Sequence, residues 1–197
     1  MSQILVIGED KLCCTLGERL VAAALPTWKL AAPPIDTGGI TKLVPNLPRY
    51  IQQATHVQPV LCIADTDNKC AKKLLSAWRP SHTPNSFLLR LAVTEAESWV
   101  LADRRGFADI FRVAMNKLPA NLDDEQDPKR LILSLIANSK KRLFRDDMIS
   151  QSDRSKPGAG YNFHLSTFVR SHWDIQRATE HSPSLRRALA ACLSLNC

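Results

Sequence analysis

Asp65 and Asp67 follow the apolar run VLCIA (60–64), and acidic residues stand in the same relation to two other apolar runs. Glu9 and Asp10 come behind QILVIG (3–8), and Glu95 and Glu97 behind SFLLRLAV (86–93). Runs of this kind read as strands covered on both faces. In an open parallel sheet ligands bind just beyond the carboxyl ends of the strands, so acidic residues distant in sequence would gather on one edge. The i, i+2 spacing sends Asp65 and Asp67 to the same side if the chain stays extended. Two carboxylates so placed repel unless a cation or basic group lies between them. Several together make the hard oxygen donor set that Mg²⁺ or Mn²⁺ prefers, and an ion held there activates water and offsets charge on a phosphodiester under cleavage. Asp36, behind a shorter candidate strand, is a further candidate.

Each acidic residue also has a structural reading. Asp67 or Asn68 can cap the helix that follows. Thr94 and Glu97 stand at capping-box spacing, and Glu9 and Asp10 suit the positive end of a helix.

The elements that must position these residues follow from periodicity. QILVIG is a first strand and EDKLCCTLGERLVAAAL (9–25) an amphipathic helix, with Leu12, Leu16, Leu20 and Ala23 as its buried stripe, ended by Pro26. WKLAAPPID (28–36) is an imperfect strand that Pro33 and Pro34 confine to an edge or end early. A Gly- and Pro-punctuated connection carries a short helix near 46–55. QPVLCIAD (58–65), KCAKKLLSAW (69–78) and SFLLRLAV (86–93) then read strand, helix, strand. TEAESWVLADRRGFADIFRV (94–113) is helical, broken at Gly106. Strands alternating with helices predict an α/β domain on a mainly parallel sheet flanked by helices. Beyond the acidic, proline-bounded stretch 119–128, PKRLILSLIANSKKRLFRDD (128–147) reads as one helix. A polar loop (150–161) and a helical tail follow, the last helix restarting at Ser182 or Ser184. The division is a core over 1–120 and a basic, mainly helical C-terminal extension over 121–197.

The chain of 197 residues is 45% hydrophobic and carries a net charge of +7. Disorder is thereby excluded as its dominant state. The charge is uneven: residues 1–128 hold 14 Lys and Arg against 14 Asp and Glu, and residues 129–197 hold 12 against 5. The excess belongs to the C-terminal third, where Lys140, Lys141, Arg142 and Arg145, with Lys129 and Arg130 upstream, are candidates to line a nucleic-acid-binding face. Arg154 and Lys156 add charge in the loop before Tyr161, which either stacks on a base or anchors the loop. No apolar run approaches the roughly 18 residues a membrane span needs, and the N-terminus lacks a basic region and an apolar stretch of signal-peptide length. These features predict a cytoplasmic protein. Six cysteines without a CxxC pair read as reduced thiols, mostly buried, with Cys192 and Cys197 open to exposure. Trp99 and Trp173 read as core. Glycine spacing fits neither a P-loop nor a dinucleotide fingerprint.

VIGEDK, ADTDN and LAVTEAESWVLAD, in that order, resemble the TOPRIM-like families found in overcoming-lysogenization-defect nucleases and in small DUF4276-type proteins of bacterial and phage-defence islands. GAGYN followed by FVRSHWDIQRATEHSPSLRRAL resembles the C-terminal pattern of the latter group. The resemblance implies a TOPRIM-like fold, divalent-metal phosphodiester chemistry on nucleic acid, DNA before RNA, and an ABC-type ATPase partner. It implies that Asp65 and Asp67 hold Mg²⁺ or Mn²⁺, that Glu95 shares it, with Glu97 beside it, and that Glu9 positions water or completes the shell. The usual motif has glutamate directly before the glycine; here that position is Ile7, and Glu9 follows Gly8. The expected activity is a metal-dependent nuclease or nuclease subunit. The alternatives are a non-catalytic regulatory or partner subunit, or a nucleic-acid-binding module.

Overall fold

Alternate residues of the apolar runs face opposite ways, and two cores form on the two faces of one sheet. The computed structural model describes residues 2–80 and 82–196. Strands β1 (Gln3–Gly8), β4 (Val60–Asp65) and β5 (Phe87–Ala92) are its long members. The segment 28–36 supplies two dipeptide strands, β2 (Lys29–Leu30) and β3 (Ile35–Asp36), because Pro33 and Pro34 interrupt the pairing; both run along the outer side of β1. Every pairing is parallel, in the order β2-β1-β4-β5.

Ile4, Val6, Leu61, Ile63, Leu88 and Ala92 face one core, and Leu5, Ile7, Val60, Cys62, Phe87 and Leu89 the other. Helix α1 (Lys11–Ala24) covers the first with Leu12, Leu16 and Leu20. Ala23 does not complete that stripe; it is exposed, and Ala24 is buried in its place. Helix α2 (Ile40–His56) covers the second with Leu43, Leu47, Ile51 and Ala54. It is longer than the short helix expected near 46–55. Pro45 and Pro48 both lie on its exposed side, where water can serve the carbonyls that lose their partners. Helix α3 (Ala71–Trp78) packs on the same face as α2.

The chain therefore runs outward from β1 over one face, returns across β1 to β4 over the other, and continues to β5. Right-handed crossovers require such a change of face when the direction of winding reverses. The reversal lies between β1 and β4, and their carboxyl ends open the crevice where sheets of this class bind ligands.

Two short helices, α4 (Ala96–Ala102) and α5 (Arg104–Phe111), follow β5. The break falls at Asp103 rather than Gly106, because the Asp103 carboxylate caps α5 through the Gly106 N–H at 3.0 Å. The expected single helix over 128–147 is two, α6 (Pro128–Ala137) and α7 (Arg142–Met148). Ser139 donates its hydroxyl to the Phe111 carbonyl and Lys140 its N–H to that of Arg112, which pulls the chain out of helix between them. Helices α8 (Tyr161–Ser171), α9 (Ile175–His181) and α10 (Pro183–Leu193) complete the fold, the last capped by Ser182.

The C-terminal third is thus helical, and Ile132, Phe168, Trp173 and Leu185 join the core of α1. Trp99 and Trp173 are fully enclosed there, worth about 2–3 kcal/mol each in buried area. Their indole N–H groups are satisfied by the Ser184 hydroxyl at 2.8 Å and the Trp99 carbonyl at 3.1 Å. Cys13, Cys14, Cys62 and Cys192 are buried and Cys70 is exposed. Cys192 is thereby not the exposed thiol expected, since it lies on the inner side of α10; Cys197 falls outside the described residues. Among the described residues no helix is long and apolar enough to cross a membrane.

Candidate functional site

The turn from β1 into α1 is tight, and Gly8 makes it so. A Cβ there would stand 2.5 Å from the Cys14 nitrogen and 2.7 Å from the Asp10 carbonyl oxygen. Asp10 caps α1, its Oδ1 accepting the Cys13 N–H at 2.8 Å, a contact worth about 1 kcal/mol. The helix-terminus role expected for both residues thus belongs to Asp10. Glu9 turns the other way: its N–H donates to the Ile63 carbonyl at 2.9 Å, and its Oε2 accepts the Asp65 N–H at 3.0 Å.

Asp65, the last residue of β4, reaches the opposite neighbour. Its Oδ1 accepts the Ala96 N–H at 2.8 Å and lies 3.8 Å from the Cys13 Sγ. Asp67 does not point the same way, because the chain does not stay extended. The N–H groups of Thr66 and Asp67 both donate to the Thr94 carbonyl at 3.1 Å, and Asp67 and Asn68 take left-handed φ of 47° and 61°. Acidic and amide side chains tolerate that region better than most. Asp67 is exposed, and its charge acts on Glu9. Neither Asp67 nor Asn68 caps α3; Cys70 holds the cap position, and the Asn68 amide donates to the Gln126 carbonyl at 3.0 Å.

No capping box forms at α4. Glu95 is still extended and occupies the cap position, while the Thr94 hydroxyl donates to the Glu125 carbonyl at 2.9 Å. Glu97 is left to the interior, 5% exposed. Its Oε1 accepts the Tyr161 hydroxyl at 3.3 Å and lies 3.5 Å from Lys129 Nζ, which is also 4.0 Å from Glu95 Oε1. The other Glu95 oxygen, Oε2, is buried without a hydrogen-bond partner. Tyr161 gets there because Gly158 and Gly160 donate their N–H groups to the Met148 and Asp147 carbonyls, drawing the GAGYN segment onto α7. It anchors that segment and offers no face to a base.

Glu9, Asp65, Glu95 and Glu97 therefore converge at the crevice between β1 and β4 and its border with α4, and Asp10 and Asp67 stand close enough to act on Glu9. Burial, then the charges of Glu97, Glu9 and Asp10, push the Asp65 carboxyl up to about 9. Burial also raises Glu9, against the hydrogen bond from Asp65, with Asp67 and Asp10 adding to the rise. Glu97 is raised by burial, pulled down by Lys129 and raised again by Glu95. Burial lowers Lys129, but Glu97, Glu95 and Asp65 outweigh it and hold its proton more firmly. One ammonium thus faces more negative charge than it can offset.

Among the described residues no three His, Cys, Asp or Glu side chains are grouped so as to hold one ion. Glu9 is turned to the Asp65 N–H, and Glu95 and Glu97 to Lys129. The donor chemistry nevertheless fits a hard divalent cation: carboxylate oxygens, a raised Asp65, and a buried Glu95 oxygen lacking a partner. Asp36 is not drawn in; it accepts the Gly38 N–H at 2.8 Å in an exposed turn.

The four basic candidates do not form one helix face. Lys140 lies in the link between α6 and α7 and lines a groove with Arg105 and Arg112. Lys141 sits over the Phe144 ring at 5.4 Å. Arg142 pairs with Asp146 at 3.0 Å, and Arg145 donates to the Ser139 carbonyl. Cations adjoin the carboxylates elsewhere: Lys129, Arg130 and Arg154 line a groove of about 560 Å³ between α6 and the 150–158 loop, with Asp127 opposing them. Lys129 and Tyr161 are the site residues the strand-end pattern does not reveal. The GAGYN glycines are a local signal for Tyr161 and the basic run for Lys129, but neither points to Glu97, since the contacts to it span 32 and 64 residues.

No family model matches the chain, and neither does any curated protein or any solved structure.

Proposed function

We propose that the protein is a divalent-metal-dependent nuclease or nuclease subunit of TOPRIM-like type, acting on phosphodiester bonds, with DNA as the first substrate and an ABC-type ATPase as partner. The observation that carries the reading is the convergence of Glu9, Asp65 and Glu95 at the reversal between β1 and β4, with Glu97 behind them and one lysine to offset them. Asp65 and Glu95 would hold Mg²⁺ or Mn²⁺, with Glu97 supporting Glu95, Glu9 completing the shell from the β1 turn, and the exposed Asp67 adding its charge at the rim. Such an ion supplies charge neutralisation at the phosphoryl group and a more acidic water. The chain's own residues do the rest. Glu9 accepts a proton from water at the crevice, and Arg130 and Arg154, with Lys129 at the border, hold the substrate backbone. Lys140, Lys141, Arg142 and Arg145 serve as an outer cationic surface at most, since Arg142 and Arg145 are engaged within the fold.

The Lys129 ion pairs favour one second reading, a non-catalytic partner subunit in which the ammonium takes the place of a metal permanently. Nicking of supercoiled plasmid and cleavage of single-stranded DNA in Mg²⁺ or Mn²⁺ test the first reading against Asp65→Ala/Asp67→Ala. Cleavage by the wild type alone supports it; equal cleavage by both removes it. Calorimetry with Mn²⁺ separates the second reading, which expects no heat of binding.

A further inference from the structure

Arg90 breaks the pattern of β5. In FLLRLA it falls on the same face as Leu88 and Ala92, the face that packs beneath α10, where an apolar residue is expected. Its Nε is buried and has no hydrogen-bond partner, and among the described residues its side chain forms no ion pair. Burial lowers its hold on its proton; Cys192 opposes that in part, and Arg79, just beyond α3, and Arg187, on α10, both positive, add to the fall. Arg187 has only a distant acid, Asp123 at 4.0 Å. Arg90 is half-buried, and the enclosed part of its guanidinium gives up water without a hydrogen bond in return, where an apolar residue would serve packing better.

A groove of about 620 Å³ opens beside it, where the strands begin. Trp28, Arg79, Asn85, Ser86, Arg90 and Ser194 line it, and no acidic residue does so among the described residues. Phe87 pairs in register with Val60, so this groove lies at the edge of the sheet opposite Asp65. It is separate from the carboxylate crevice.

We propose that this groove is a binding site for a diphosphate-class oxyanion. Two guanidinium groups present forked N–H donors that match tetrahedral oxyanions in bidentate fashion, and the Ser86 and Ser194 hydroxyls and the Asn85 amide supply neutral donors around them. The volume exceeds what a single halide would need, and Trp28 gives one wall an aromatic surface. The anion supplies the counter-charge that Arg90 lacks among the described residues.

The test is isothermal titration calorimetry of the full chain at low salt in EDTA, with inorganic pyrophosphate in one arm and ADP in the other. EDTA keeps any metal at the carboxylates out of the measurement, so failure here and failure of the nuclease reading are read separately. Saturable one-site binding is expected, weakened about tenfold or more by Arg90→Met, as loss of a charged hydrogen-bonding group predicts. Arg90→Lys keeps the charge without the fork and should fall between them. Tighter binding of ADP than pyrophosphate assigns the site to nucleoside diphosphates; equal binding assigns it to the inorganic ion. Arg105→Met, on another surface, should leave both unchanged. Absence of saturable binding to the wild type overturns the proposal. So does retention of affinity in a folded Arg90→Met, or an equal loss in Arg105→Met, which would mark general attraction to a basic protein.

Discussion

Glu9 Oε2 stands 3.0 Å from the backbone nitrogen of Asp65, so the turn leaving β1 is fastened to the last residue of β4 across the mouth of the crevice. Asp65 in turn accepts the Ala96 N–H, and one carboxylate chain thereby links β1, β4 and α4. The same arrangement that orders the edge concentrates negative charge there.

Asp65→Asn keeps the shape and removes the need to take up a proton on folding, which burial and the surrounding carboxylates impose on Asp65. In metal-free buffer at pH 8 the variant is expected to melt above the wild type, by about 2–4 °C for each kcal/mol of that cost removed. It should also lose any rise in melting temperature that Mn²⁺ gives the wild type. Differential scanning calorimetry with EDTA and with Mn²⁺ reads both, and a variant still stabilised by Mn²⁺ would move the metal away from Asp65.

The pH dependence has a definite sign. The Asp65 carboxyl titrates at about 9 in the fold and near 3.9 unfolded, so the folded state binds the proton more tightly. Its contribution to stability is complete below about pH 4 and is lost progressively as pH rises toward 9. Glu9 and Glu97, also raised, act in the same direction. The difference in melting temperature between wild type and Asp65→Asn, measured in EDTA at pH 5, 7 and 9, should therefore widen with pH in the variant's favour. A difference that stays flat would mean that Asp65 is not held protonated. Mn²⁺ binding, which displaces that proton, should strengthen over the same interval.

Lys129→Met leaves Glu95 and Glu97 without their cation. The Lys129 side chain is 44% exposed and that of Glu97 6%, so the loss should be about 1–2 kcal/mol, below that of a fully enclosed pair. Urea unfolding measures it. In the metal-centre reading the variant binds Mn²⁺ more tightly, because a competing positive charge has gone, while DNA affinity falls. In the partner-subunit reading neither protein gives a heat with Mn²⁺.

Asp103 is a structural control. Its buried carboxylate accepts the Gly106 and Asp174 N–H groups and both Nε and Nη2 of Arg177 at 2.8 Å, tying α5 to α9. Asp103→Ala should cost about 2–4 kcal/mol in urea unfolding, since it leaves the Gly106 and Asp174 N–H groups without their acceptor, while Arg177, its side chain 41% exposed, keeps Asp174 at 3.2 Å. Any folded fraction should bind Mn²⁺ as the wild type does.

The long strands and the acids at their ends were legible from local pattern alone. VLCIAD, QILVIG and FLLRLA are local apolar runs whose alternating sides both find cover, so β1, β4 and β5 emerge close to their observed bounds, and Glu9, Asp65 and Glu95 arrive at one edge because parallel strands share a direction. Tertiary structure decided what local rules could not weigh. The capping box at Thr94 lost to a hydrogen bond from its hydroxyl to Glu125, 31 residues on. The helix read over 128–147 was split where Ser139 and Lys140 bond to the end of α5. The paired aspartates were parted because Thr66 and Asp67 share the Thr94 carbonyl and the chain turns left-handed there. Lys129 and Tyr161 joined the carboxylates, and Arg90 was left without a counter-charge among the described residues, through packing between distant segments. Side-chain periodicity records which residues leave water; it carries no term for which distant charge each will meet there.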